Sequence, residues 1–364
     1  MSQDSTFSLK FAARFQSLFI ADGIINDDGQ ISDGSSTFLI RRSRLKFDGY
    51  AYTPKLKYKL EIGLSNRDIS GASDQTRGAD RMILDAVIMY NFYKGFSIWA
   101  GQTKLPGNRE RVISSGNLQF VDRSLVNSRF NIDRDMGIQI RHKHKLGKME
   151  LREMFSVSQG EGRNVTASNH GGLDYTSRIE VLPFGAFKSK GDYVGSAIKR
   201  EDSPKLAIGL TYDFHDRAVR QRGQLGSYIQ DDEGEYITSS LETIFLDMMF
   251  KYKGISVMVE YADKKGDNVT ALDSEGVSHG FFYTGTGLTT QLGYMLKSNW
   301  ELAGRVTTIT PQDTIGQNDT EQYTFGVSKY IVGHKLKVQT DFSYTQEENE
   351  NDAVMMRLQF DLHF

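Results

Sequence analysis

The stretch VMMRLQFDLHF, residues 354–364, alternates strictly, with Val354, Met356, Leu358, Phe360, Leu362 and Phe364 set against Met355, Arg357, Gln359, Asp361 and His363. A pleated strand sends successive side chains to opposite faces, so one face of this segment suits hydrocarbon and the other suits water. Near the other end of the chain, Phe7, Leu9, Phe11, Ala13 and Phe15 oppose Ser8, Lys10, Ala12, Arg14 and Gln16 in the same manner. Two such strands at the two ends of one chain can pair and seal a sheet into a cylinder.

The same stripe recurs in between, as Leu56/Tyr58/Leu60/Ile62/Leu64, Leu84/Ala86/Ile88/Tyr90/Phe92, Leu206/Ile208/Leu210/Tyr212/Phe214, Ile255/Val257/Val259/Tyr261, Leu288/Thr290/Leu292/Tyr294/Leu296 and Leu336/Val338/Thr340/Phe342/Tyr344. Connections between stripes alternate in kind. Tight turns fall at Thr53-Pro54, Lys94-Gly95, Lys145-Leu146-Gly147, Lys253-Gly254, Lys297-Ser298-Asn299 and Gly333-His334. Longer polar connections cover residues 22–36, 66–81, 104–134, 158–172, 215–240, 263–280, 310–320 and 346–352. Short turns at one end and long loops at the other are the rhythm of bacterial outer-membrane barrels. Eight long loops require about sixteen strands. The expected fold is therefore an all-β, antiparallel transmembrane barrel, a single domain over residues 1–364. Residues 185–204, GAFKSKGDYVGSAIKREDSP, stand where a short turn is due, and are either a periplasmic excursion or an unrecognised strand pair.

Composition agrees. The 364 residues are 38% hydrophobic with a mean hydropathy of -0.45, and no apolar run is long enough for a membrane-spanning helix. In a wet barrel only every second strand residue meets lipid, so a low mean hydropathy is normal. An open sheet in lipid would leave N–H and C=O groups unpaired at several kcal/mol each, which favours closure. A cylinder of about sixteen strands is too wide for side chains to fill, so a channel follows. The 44 Lys+Arg against 46 Asp+Glu give a net charge of -2, without the basic excess of a nucleic-acid binder. Absence of cysteine excludes disulfides, thiol catalysis and Cys zinc sites. Five prolines beside 35 glycines suit long strands with glycine-bearing turns. The start Met1-Ser2-Gln3-Asp4 carries no apolar targeting segment, as expected after removal of an export signal from a protein of the Gram-negative outer membrane.

The chemistry is expected in the loop after the fifth strand. Residues 104–134 carry Lys104, Arg109, Arg111, Arg123, Arg129 and Arg134 against Glu110, Asp122 and Asp133. Folded inward, this third loop would narrow the lumen and focus a positive field on passing anions, with guanidinium forks matched to oxyanion oxygens. In the second strand Arg42, Arg44 and Lys46 share a face, while Leu45 and Phe47 take the other. The lumen is their cheaper side, because Arg or Lys at the bilayer midplane costs about 2 to 4 kcal/mol. Arg14 and Lys10 on the first strand extend the same wall. The bland alternative is ordinary lumen polarity, since Asp48, Glu61, Asp85, Asp247, Glu260 and Asp341 also face inward, and some loop arginines must pair with Asp122 or Asp133 simply to hold the loop.

Other motifs carry less. His142 and His144 share a strand face and could share a metal, but a rim position accounts for them, and no metal or cofactor is expected. Asn26-Asp27-Asp28-Gly29 fails as a calcium loop, because setting Gly29 at the sixth position puts Ile24 first and Ser35 last. Gly285-Thr286-Gly287 lacks the following glycine of a dinucleotide loop and lies on a strand. The aromatic residues read mostly as interface girdles. No Ser/His/acid set assembles on neighbouring strands, so a hydrolase is not expected.

The block Gly101-Gln102-Thr103-Lys104-Leu105-Pro106, followed by Glu110, Ser114-Ser115, Leu118, Phe120-Val121, Arg123-Ser124, Arg134-Asp135 and Gly137, resembles the hallmark of the phosphate-selective porin family, the porin O and P type. Ile40-Arg41-Arg42 with Arg44-Leu45, Ser203-Pro204-Lys205-Leu206, and Ala218-Val219-Arg220 with Arg222-Gly223-Gln224 add to the resemblance. The resemblance implies a homotrimer of sixteen-stranded barrels in outer-membrane lipid, passive flow of small phosphate-like anions past lumen Arg and Lys, and a terminal Phe364 read by the barrel-assembly machinery. Where that family commonly has Phe after Leu-Pro, this chain has Gly107, which is expected to loosen the loop. The competing function is a barrel that serves as a docking scaffold for a surface or secreted protein through acidic loops such as residues 231–235 and 346–352, with little transport.

Overall fold

The structure is a computed structural model that describes residues 6–26 and 28–364; the Met1-Ser2-Gln3-Asp4 start and Asp27 of the calcium-like stretch lie outside the described residues. Sixteen antiparallel strands form one closed barrel in which each strand pairs with its neighbours in chain order and the last pairs with the first. They are β1 Phe7–Ile25, β2 Ile31–Ala51, β3 Thr53–Gly63, β4 Ile83–Tyr93, β5 Phe96–Lys104, β6 Arg134–Leu146, β7 Met149–Ser158 and β8 Asp174–Leu182. The second half comprises β9 Lys205–Ala218, β10 Ser239–Tyr252, β11 Ile255–Gly266, β12 Gly285–Met295, β13 Trp300–Pro311, β14 Thr320–Tyr330, β15 Leu336–Glu347 and β16 Ala353–His363.

Closure runs along the two striped ends, with Phe15 opposite Leu362, Ser17 opposite Phe360 and Phe19 opposite Leu358. The seal reaches the last residue, where Ala13 and Phe364 exchange backbone hydrogen bonds of 2.9 and 3.1 Å and the rings of Phe15 and Phe364 stand 6.3 Å apart. Each strand is thereby paired on both sides over part of its length, and the sheet has no free first or last strand, which is what hydrocarbon demands of a sheet. The two faces separate by chemistry. In β9, Ile208, Leu210 and Tyr212 are exposed while Thr211, Asp213 and His215 are buried, and β13 through β16 repeat the pattern. The exposed apolar band is the lipid face, and the buried polar residues line the inside.

Some boundaries move. The expected loop at residues 22–36 shrinks to residues 26–30, because the Ser-rich start of β2 stays in the ladder with β1 and Ser35 Oγ donates to Asp22 Oδ1 at 2.9 Å. No strand falls within residues 183–204, so the count of sixteen arises without that stretch, which instead carries a 3-10 turn, Lys188–Tyr193.

Two backbone irregularities shape the inner wall. In β2 the register with β1 slips between the Gln16/Arg42 and Ser17/Ile40 pairs, leaving Arg41 as an extra residue. This β-bulge breaks the two-residue alternation, and Arg41 and Arg42 are both buried on the inner side. In β5, Gly101 has φ +124° and lies opposite Gly137 of β6. A Cβ there would run into the carbonyl of Ala86, so glycine is required.

Candidate functional site

Residues 105–133 connect β5 to β6 and contain two short helices, α1 Arg109–Val112 and α2 Leu125–Phe130. Neither is long enough to hold itself together, so packing must fix them. Leu105, Val126, Phe130 and Ile132 bury against Phe245, Ala262, Tyr283 and Ile309, while Ile113 and Leu118 bury against Leu182, Phe187, Ala207, Met249 and Met258. Gly107 does not loosen this arrangement. Its backbone is so close to Ile132 that a Cβ would lie 2.7 Å from the Ile132 Cβ.

Polar anchors lock the same segment. Arg109 is fully buried, donating to Asp247 Oδ1 at 2.6 Å, to Glu180 at 3.3 Å and to the Asp192 carbonyl at 3.2 Å. Asp192 belongs to residues 183–204 and also takes Arg152 Nη1 at 2.5 Å, while Tyr193 donates to Glu180 at 2.6 Å. The two segments therefore meet on Glu180. Glu110 accepts from Ser124 Oγ at 2.5 Å, Val121 N–H donates to Asp341 at 3.0 Å, and Gln119 donates to Glu301 at 2.9 Å. Lys104 Nζ caps α1, donating to the carbonyls of Arg111, Val112 and Ile113 at 2.6 to 3.2 Å.

With residues 105–133 fixed against β8–β15, space remains on the side of β2–β6. A cavity of about 670 Å³ lies there, lined by twelve Lys and Arg side chains and five Asp and Glu side chains. The bulged pair Arg41 and Arg42 both reach Asp122 Oδ1, at 2.7 and 3.2 Å. Arg44 forks onto Asp68 at 2.8 and 2.6 Å, Arg111 pairs with Asp133, and Arg134 and Lys59 share Asp85 at 3.1 and 2.8 Å. Burial pushes the Asp122 carboxyl up, but the charges of Arg42, Arg41 and Arg357 outweigh it and hold the group below the usual carboxylate range. Asp133 is depressed likewise by Arg111 and Arg134 against the push of burial.

Six lining cations, Arg67, Lys104, Arg123, Arg141, Arg163 and Arg222, have no carboxylate within ion-pair distance among the described residues. Arg123 donates to the carbonyls of Glu110 and Ile113 at 2.8 and 2.7 Å, Arg163 to those of Arg81 and Asp68 at 3.0 and 2.7 Å, and Arg222 to that of Ser128 at 2.5 Å. Carbonyls orient these guanidinium groups without cancelling their charge. The cavity keeps a positive field that the net charge of the chain conceals.

Of the residues singled out from the sequence, Arg42, Arg44, Lys104, Arg111, Arg123 and Arg134 line this cavity. Four do not. Arg14 is spent on Asp361 at 2.8 Å and Ser115 at 2.7 Å, and Arg109 is sealed under the loop. Lys46 pairs with Asp48 at 2.8 Å, and Arg129 lies over the Tyr283 ring at 5.4 Å. Contacts with or within residues 105–133 consume Arg14, Arg109 and Arg129, and a pair within β2 consumes Lys46, none of which alternation alone reveals. Arg41, Lys59, Arg67, Arg141, Arg163 and Arg222 join the cavity instead. Lys59 and Arg141 were accessible to the same alternation, whereas Arg67, Arg163 and Arg222 arrive from loops.

The histidine pair sits on the outer face of β6, in line with the exposed Ile138 and Ile140. His142 Nδ1 is 2.7 Å from Glu153 Oε2, its ring stacks on Phe96 at 3.8 Å, and His144 stands 3.8 Å from the same carboxylate.

Comparison with known proteins gives a consistent result. Residues 10–362 match the sequence model of the family described as phosphate-selective porin O and P. No curated protein matches at the sequence level. Similar solved structures include a loop L8 deletion mutant of the outer membrane protein OmpT of Vibrio cholerae, at TM-score 0.62 and 10% identity, covering 99% of this chain and 100% of that one. An anion-selective porin from Comamonas acidovorans aligns at TM-score 0.58 and 8% identity over 98% of this chain and 100% of its own. The outer membrane channel DcaP of Acinetobacter baumannii aligns at TM-score 0.57 and 12% identity over 100% and 99%.

Proposed function

The chain belongs to the phosphate-selective porin O and P family, and from that premise we propose that small oxyanions cross the Gram-negative outer membrane through the cavity between residues 105–133 and the β2–β6 wall. As a member of that family it is an outer-membrane porin, a non-enzymatic channel for passive diffusion. Residues 105–133 act as the constriction, and residues 183–204, joining β8 to β9 at the short-turn end, act as a periplasmic excursion that braces it.

The observation that carries this reading is the surplus of twelve cations over five carboxylates around one cavity in a chain of net charge -2. Charge on a low-dielectric wall concentrates anions, and a series of weak sites passes them on without trapping them. Arg42, Arg44, Lys104, Arg111, Arg123 and Arg134 form the path, with Arg67, Arg141 and Arg163 beside them. Arg14, Arg109 and Arg129 act as supports, and Lys46 is held by Asp48 outside the path. We place the assembly signal at Phe364 and the working form as a homotrimer in outer-membrane lipid, inserted by the barrel-assembly machinery.

Reversal potential in a potassium chloride gradient tests the path. The purified barrel should sit on the anion side. Replacing Arg42, Arg44 and Arg111 together by Ala should move it toward cations, because three fixed positive charges go while Asp122, Asp68 and Asp133 lose partners. An unchanged potential removes these residues from the route.

A further inference from the structure

Alternation along β4 places Asp85, Val87 and Met89 on the inner face, and Met89 pairs across the ladder with Trp99 of β5, which also faces inward. Three apolar side chains thus stand on a wall that is otherwise polar. The apolar residues that β10, β11 and β13 turn inward are covered by residues 105–133. Met89 and Trp99 instead stay partly exposed to the charged cavity, beside the buried Val87. An apolar patch kept facing a wet, charged space calls for an occupant, since covering it would withdraw that surface from water.

Cations flank the patch on both sides. Lys59 lies opposite Val87 in the adjoining β3, and Lys57 lies opposite Met89. On the other flank, the Arg141 guanidinium lies 4.0 Å from the centroid of the Trp99 ring. Its Nε and Nη2 donate to Gln139 Oε1 at 3.0 and 2.6 Å, which fixes the plane and leaves Nη1 without a hydrogen-bond partner among the described residues. Beyond Arg141 a second cavity of about 170 Å³ continues past Met154 and Tyr193.

From this juxtaposition we propose that the pore has a subsite for organic anions, carboxylates that bear an aromatic or compact apolar group. The carboxylate meets Arg141 or Lys59, and the apolar body lies on Met89 and the edge of Trp99. Inorganic phosphate would use the cations alone and gain nothing from the patch. This deepens the reading of the pore as an anion channel and rests on it.

The experiment uses the full-length barrel in a planar bilayer, with chloride current measured as benzoate, acetate or inorganic phosphate is added. Benzoate and acetate carry one charge each and differ in apolar surface. Benzoate should halve the current at about one-tenth the concentration of acetate, the effect of withdrawing roughly two methylene groups of apolar surface from water. Trp99→Ala with Met89→Ser should bring the two concentrations within about twofold, while the reversal potential in potassium chloride stays put. Trp99→Phe should keep most of the difference, and Met89→Ser alone, which should narrow it, stands in if the double variant does not fold. Equal block by benzoate and acetate in the unaltered protein overturns the subsite, as does a difference that survives both the double variant and its separate single substitutions. In either case an anion-side reversal potential leaves the channel reading intact. A cation-side potential in potassium chloride overturns that reading and this one with it.

Discussion

Arg109 and Arg111 sit two residues apart on one turn of α1 and meet opposite fates. Arg109 is completely buried between Asp247 and Glu180, whereas Arg111 faces the cavity with Asp133 as its partner. Asp247 and Glu180 keep Arg178 as a partner when Arg109 is removed, so what Arg109→Ala takes away is the tie between the strap and the β8–β10 wall, together with the packing of a fully buried side chain. Arg109→Ala should therefore lower the denaturation midpoint of the folded barrel far more than Arg111→Ala, and Arg111→Ala should shift the reversal potential more. The opposite order would exchange their roles. Acid sensitivity follows from Asp122 and Asp133, both held below their ordinary range by surrounding arginines. A carboxylate depressed in the folded state stabilises fully above its unfolded value of about 4, and that contribution is lost only as pH falls through the lower folded value. The share of selectivity and of open-channel noise that depends on Asp122 and Asp133 should accordingly be flat between about pH 5 and 8 and change only in stronger acid. A transition inside that window would mean that groups other than Asp122 and Asp133 control the strap.

At the scale of the element, residues 105–133 behave as a strap whose two short helices have no stability of their own, and Phe130 is the largest side chain pinning α2, fully buried against Tyr283 and the inner wall. Phe130→Ala should cost about 3 to 5 kcal/mol of local packing, spread mainly over the strap because the ladder hydrogen bonds of the barrel are untouched. The measurement is single-channel conductance, which should rise and grow noisy while the barrel stays folded. Unaltered conductance would separate the strap from the constriction. Strand faces were legible because a period of two follows directly from the pleat. Arg44 could be placed on that basis, and Lys59 is open to the same reading, whereas Arg111 stands on a helix of the strap. Arg41 could not be placed so, since a bulge is a local slip in pairing that the partner strand decides, and both Arg41 and Arg42 then reach the one Asp122. Nor could the burial of Arg109, whose partner Asp247 lies 138 residues away and is met only once the strap crosses the barrel. Glycine spacing was legible as a motif but not as a cause: Gly101 is needed for its positive φ and its contact with the Ala86 carbonyl.

For the whole molecule, net charge misleads because position decides which charges a solute meets. Acids such as Asp247, Glu180, Glu260 and Asp341 are consumed under the strap or within the wall, whereas a surplus of cations lines the cavity at β2–β6. The inside of the barrel is thus one-sided: the β8–β15 wall carries the strap, and the cavity proposed as the passage lies against the β2–β6 wall. This asymmetry can be probed directly, because the chain has no cysteine and any introduced thiol reports alone. Met89 lines the cavity, while Thr307 faces inward on β13 but is fully buried, its hydroxyl 3.0 Å from that of Thr289. A small charged thiol reagent should lower the conductance of Met89→Cys promptly and leave that of Thr307→Cys unchanged. A negatively charged reagent at position 89 should also pull the reversal potential toward cations, and a positively charged one should push it further toward anions. Reaction at position 307 with none at position 89 would put the water-filled route along the opposite wall, and the arginines of β2 and residues 105–133 would then have no solute to meet.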